Sequence, residues 1–197
     1  GMKVLNRKAL ETVKHIEREI ASKGPNCVVK MLELVRELSA DVDRVSIGSL
    51  VEVIGRDLAF TAKVLRVAKP IGYNPEGIEI NTLDQAINFV GLRKIRSIAI
   101  SLLLSDEAGR EDASLEIQDL VTSALCSGLM AQELCERREY LDSDLAFVVG
   151  TLRNYGALLL ASYMLEDYRT SQALTAKLGK DAAEEEVFGL TQNRLAV

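Results

Sequence analysis

At 197 residues and 48% hydrophobic, the chain can bury one sizeable core or two small ones. It carries no Trp and only 5% aromatic residues, so Leu, Ile, Val and Ala must fill that core, which suits helix packed on helix. A net charge of −5 with a pI near 5.1 argues against broad binding to nucleic acid or acidic membranes and leaves room only for a local basic patch.

Residues 3–22 place Val13, Ile16 and Ile20 on one stripe, with Lys and Glu elsewhere. This is an amphipathic helix, stopped by Lys23-Gly24-Pro25. Gly1 before Met2 reads as a tag remnant. The lone histidine, His15, is flanked by Glu11 and Glu19 on the polar side and is expected to be solvated. Asn26 can cap a second helix over 27–38, whose apolar face is Val28, Met31, Leu32, Val35 and Leu38. Residues 39–43 read as a loop. Ser46 can cap a short helix with Ile47, Leu50, Val51 and Ile54, ended by Gly55. Asp57 caps the next, over 58–69. Two prolines and two glycines make 70–81 a loop.

Thr82 and Gln85 form a capping box before Leu83, Ala86, Ile87 and Val90. Gly91 interrupts, and a helix starts at Leu92. Its first turn holds Arg93, Lys94 and Arg96, expected as solvated residues at its rim. Its end, Ile98–Leu104, is apolar nearly all round, so it must be covered on every side. It is too short to span a bilayer, which takes about 20 apolar residues. It is therefore expected as the central buried helix.

Asp106–Ser114 is a polar connector and a boundary between two halves. A long helix follows over 115–137, with Ile117, Leu120, Val121, Ala124, Leu125, Leu129 and Leu134 at the 3.6-residue period. Residues 139–143 break it. Asp144 can cap Leu145–Asn154, and Gly156 sits where a left-handed cap would fall. Ala157–Tyr168 is helical and apolar. Gly179-Lys180-Asp181 precedes a last helix, whose first turn carries Glu184, Glu185 and Glu186 where the dipole favours them. The sum is an all-α chain of about ten helices, with no strand signal and no repeat.

Nucleotide-binding glycine motifs, C-x-x-C and H-E-x-x-H are all missing. One histidine, on a polar face, leaves no Ser-His-Asp or Cys-His arrangement. The three cysteines, Cys27, Cys126 and Cys135, are an odd number and suggest reduced thiols. Cys126 and Cys135 fall on opposite faces of one helix, and all three are expected as small core residues. Asp142 and Asp144 are explained by capping. The helix-Gly-helix around Gly91 also allows a helix-turn-helix DNA reading with a basic second helix. That helix is too apolar in its second half for a groove, and its link is shorter than the usual turn of about 3–4 residues. No signal peptide or transmembrane run is present, so the cytoplasm is expected.

Val51–Leu104 resembles the first half of an HDOD domain, the HD-related output domain of bacterial signalling proteins. The likeness runs through IGRDLAFTAKVLRVAK, a loop, and TLDQAINFVGLRKIRSIAISLLL. LVTSALCSGLMAQEL at 120–134 is similar to the family's long helix, and FVVGTLRNYGALLLA at 147–161 to its G-L-L-H-x-x-G helix pair. EEEVFGL at 184–190 resembles the segment after it.

The resemblance implies a compact HD-related bundle, a single domain over 2–197 with an N-terminal half 2–105 and a degenerate HD-like half 114–197. HD-type phosphohydrolases hold metal with a His, a His-Asp doublet and a further Asp. Those positions fall here on Ser123, on Arg153 and Asn154, and, for a late D-H pair, on Thr191 and Gln192. None is a normal metal ligand, and Arg153 adds a fixed positive charge. The family's Asn-Ser turn is Lys69-Pro70 here. Val197 ends the chain where family members commonly continue with more helix, as expected of a truncated piece or a short variant. The expectation is a non-catalytic regulatory or interaction module with no cofactor and no metal. It would engage a protein partner or a small signalling ligand, not a membrane or nucleic acid. Ser123, Arg153, Asn154 and Tyr155 would line a pocket, and Lys69, Arg93 and Arg96 a surface. Arg153 could hold an anion such as phosphate, or simply lie on the surface or pair with an acid. The enzyme alternative is a metal-dependent HD-type phosphohydrolase.

Overall fold

The computed structural model describes residues 6–36, 47–71, 77, 79–138 and 142–191. Among them are eleven helices and no strand. In chain order these are α1 (Arg7–Lys23), α2 (Cys27–Arg36), α3 (Ile47–Gly55), α4 (Leu58–Ala68), α5 (Leu83–Val90) and α6 (Leu92–Ala108). Then come α7 (Leu115–Arg138), α8 (Ser143–Leu152), α9 (Tyr155–Tyr163), α10 (Leu165–Leu178) and α11 (Lys180–Phe188).

α6 is the central helix. Ile95, Ile98, Ala99, Ile100, Leu103 and Leu104 are buried along it, and it packs against α2, α3, α4 and α5 as well as α7 and α8. A helix apolar on all sides can be stable only when neighbours take up each face. α9 is the second such element: every residue from Tyr155 to Ala161 is buried, under α2, α7 and α10.

Several expected starts are made by the expected caps. Asn26 Oδ1 accepts from Val29 N–H at 3.0 Å, and Asp57 Oδ1 accepts from Phe60 N–H at 3.0 Å. Thr82 and Gln85 close both arms of their box. Each such cap satisfies an orphan N–H and is worth about 1 kcal/mol.

Other expectations are corrected. α6 runs on through Asp106 and Glu107 to Ala108, so the connector begins only at Gly109. Asp142, not Asp144, caps α8: its Oδ1 accepts from the N–H groups of Asp144 and Leu145. That frees the Asp144 carboxylate to meet Lys94 at 2.8 Å. Gly156 lies buried inside α9 and is not among the glycines of positive φ. The helix expected over 157–168 breaks at Met164 (φ −140°, ψ 52°). The break separates the wholly buried α9 from α10, which turns most of its length to solvent, and it raises the count from ten to eleven. Leu129 and Leu134, expected on the inner stripe of α7, are 56% and 60% exposed. Cys126 is exposed too, and Cys27 and Cys135 are half-buried. His15 is half-buried rather than fully solvated. The loop at 39–43, the Ser46 cap, most of 72–78 and Gln192 lie outside the described residues.

Candidate functional site

The candidate pocket residues sit where α7, α8 and α9 meet. α8 runs antiparallel along α7, with Gln132 donating to Asp144 near one end at 3.3 Å and Asn154 reaching Ser123 near the other. Two glycines set the spacing. A Cβ on Gly150 would lie 2.7 Å from the Ser127 carbonyl oxygen and 2.8 Å from Gly128 Cα, and a Cβ on Gly128 would lie 2.5 Å from Thr151 Cγ2. The two backbones are therefore in direct contact, which only small residues allow.

That approach brings Asn154 over Ser123. The amide Nδ2 donates to the Ser123 hydroxyl oxygen at 3.4 Å, a long and weak bond. Ser123 is exposed and Asn154 half-exposed. Arg153 is the C-cap of α8, at the 42° bend into α9. It is exposed, and no ion pair engages it among the described residues. Tyr155, expected to line the pocket, points elsewhere. It is 2% exposed, and its phenol donates to the Val28 carbonyl at 2.7 Å, tying α9 to α2. Burial pushes that phenol well above its ordinary pKa.

The candidate surface residues do not join this group. Arg93 pairs with Asp142 and Lys94 with Asp144, at the start of α8. Asn154 lies beyond the other end of that ten-residue helix, about 15 Å away at 1.5 Å per residue. Arg96 is a correction: it is 5% exposed rather than solvated, and its Nε has no partner. Burial, then the neighbouring charge of Arg93, lowers its pKa. Lys69 is exposed at the C-terminal end of α4.

Two cavities include none of these candidates. One, of about 720 Å³, is lined by Leu34, Val53, Phe60 and Leu103, with Lys30 and the Lys63–Asp106 pair among its polar residues. The other, of about 500 Å³, lies between the ends of α1, α6 and α9 and the start of α7, and takes in Glu107, Arg110, Ser162 and Tyr163. Sequence reasoning missed Glu107 by assigning it to a connector. The available signal was its spacing: Ile100, Leu103, Leu104 and Glu107 continue one stripe. Among the described residues no three His, Cys, Asp or Glu side chains converge on a point that could hold a metal ion.

A family model for the HDOD domain matches residues 25–197. No curated protein matches. Among solved structures, the chain is similar to an HDOD domain protein of unknown function from Geobacter sulfurreducens (20% identity, TM-score 0.60, 95% of this chain and 63% of that one). It is also similar to a candidate phosphohydrolase from Shewanella amazonensis SB2B (22% identity, TM-score 0.54, 92% and 64%). A third is a candidate signal transduction protein from Marinobacter aquaeolei VT8 (19% identity, TM-score 0.54, 98% and 46%). At these identities the likeness establishes the fold. The chain spans less than two thirds of the length of each of these three structures.

Proposed function

The chain belongs to the HDOD family, and on that premise we propose that it is a non-catalytic regulatory module of bacterial signal transduction, working in the cytoplasm. The observation that carries this reading is the pairing of Asn154 with Ser123. Two positions that would hold a metal in an HD-type phosphohydrolase are here a neutral amide and a hydroxyl, bonded to each other. Arg153 adds a permanent positive charge between them in sequence, and nearby positive charge opposes a bound cation. The likeness to a candidate signal transduction protein of the same fold is in keeping with this role.

The module would act through the exposed Arg153 and the half-exposed Asn154, which can offer hydrogen bonds to an anionic group such as phosphate. A ligand or protein partner seated there touches the junction of α7, α8 and α9, and would act by favouring one packing of these helices over another. The DNA-binding reading has less support, because Arg93 and Lys94 are already paired with Asp142 and Asp144 and Arg96 is buried.

A thermal-shift screen against divalent metals, mononucleotides, cyclic dinucleotides and simple anions tests the proposal. A ligand at about 100 times its Kd stabilises by about 2.7 kcal/mol. The expected result is a shift from an anionic compound that disappears in Arg153→Ala, and none from metals. Stoichiometric Mn, Fe, Ni or Zn in the purified protein, with phosphoesterase activity lost in Asn154→Ala, would overturn it.

A further inference from the structure

The cleft at the ends of α1, α6 and α9 holds a buried carboxylate that the fold pairs only loosely. Glu107 is 7% exposed, and its Oε2 has no hydrogen-bond partner. The ion-pair contact it makes is Arg110 Nη1, 3.8 Å from Oε1, too long for a hydrogen bond. That guanidinium is already engaged by Asp112, through Nε to Oδ1 at 3.0 Å and Nη2 to Oδ2 at 2.9 Å. The other cation lining the cleft, Lys23, is paired with Glu19.

Beside Glu107 stands the Cys27 thiol, a weak donor. Burial first, and then the negative Glu107, pushes it up to about 11, so it stays a neutral thiol beside the carboxylate, and it carries no positive charge in either form. Burying a carboxylate is costly unless it is paired and hydrogen-bonded. A second orphan lines the same cleft: Ser162 Oγ is buried without a partner. Tyr163 Oη, also on the wall, accepts only a long bond of 3.5 Å from Asn26 N–H. The cleft is about 500 Å³, within the range of small-molecule sites.

We propose that this cleft binds a small organic cation, an ammonium or guanidinium group, with Glu107 as its counter-ion. A cation there would give Glu107 the close partner that Arg110 does not, in a partly dry setting where ion pairs are stronger than in water. Ser162 Oγ and Tyr163 Oη, which line the same cleft, are the acceptors on offer to the cation's remaining N–H groups. The cleft shares no lining residue with the Ser123–Asn154 pair, so the two sites are tested by different substitutions.

The experiment is isothermal titration of the whole chain with butylamine and agmatine, and with butyrate and inorganic phosphate as anionic counterparts. Binding of either amine is expected, weakened about tenfold or more in the near-isosteric Glu107→Gln and unchanged in Arg153→Ala. Ser162→Ala keeps every charge and is expected to weaken amine binding several-fold, which holds the test open should Glu107→Gln fail to fold. The proposal is overturned by no amine binding, by binding that survives Glu107→Gln and Ser162→Ala, or by a preference for butyrate or phosphate.

Discussion

Cys27 carries the clearest pH signature among the side chains. Its thiol is raised from 9.0 to about 11 by burial and by Glu107. Between those values the native state keeps a proton that the unfolded state has lost. Stability from this group is therefore fully present below pH 9.0 and declines as pH climbs toward about 11. Urea unfolding across that window should show a steeper loss in the parent chain than in Cys27→Ala. Parallel slopes would mean that the thiol does not titrate as its surroundings dictate. The same single-residue view separates the site candidates. Asn154 and Arg153 stay accessible at a helix junction, whereas Tyr155 and Arg96 were drawn inward by neighbours that no local pattern announces. Tyr155 is a buried anchor because the Val28 carbonyl of α2, 127 residues away in sequence, accepts its hydrogen bond.

Among the elements, the α7–α8 pair is the most exacting. Gly150 and Gly128 let the two helices touch backbone to backbone, and that contact is what seats Asn154 on Ser123. Gly150→Ala would push a methyl into the Ser127 carbonyl and Gly128 Cα, neither of which is a flexible side chain. Overpacking of this kind costs about 1–3 kcal/mol against a gain in helix propensity of roughly 1 kcal/mol, and contact with rigid backbone atoms on both sides places it toward the upper end. Chemical denaturation should show a net loss of stability, and the Arg153-dependent ligand shift should shrink with it. A stabilised Gly150→Ala variant would show that the helices are free to separate at that point. Capping at Asp57 and Thr82 was legible from residue type and spacing. The break at Met164 was not: it has no Gly or Pro, and it arises where a helix buried on all sides gives way to a surface helix.

Across the whole molecule, the two ends of the described chain are clasped together. Asn6 caps α1 through Ala9 N–H at 2.8 Å, and its Nδ2 donates to the Gly189 carbonyl at 2.9 Å. Thr12 donates to the Phe188 carbonyl at 2.9 Å. Gly189, at φ +73°, lets α11 end under α1, where a Cβ would lie 2.5 Å from Ala9 N. Asn6→Ala loses both the cap and the clasp, at a cost of about 1–2 kcal/mol. Asn6→Asp keeps the cap acceptor and loses only the donor, so its unfolding midpoint should fall between the parent and Asn6→Ala. Equal midpoints for the two variants would place the whole effect in the clasp.

The sequence by itself determined the helical class, the central buried helix, most helix starts and the family likeness. These depend on periodicity, capping chemistry and ordered motifs, all of which act within a few turns of one helix. The tertiary structure alone decided which candidates lie together, that Arg96 and Glu107 are buried, and where cavities open. Those outcomes depend on contacts between residues far apart in the chain, such as Ser123 with Asn154 or Asn6 with Gly189. Local spacing holds no record of them.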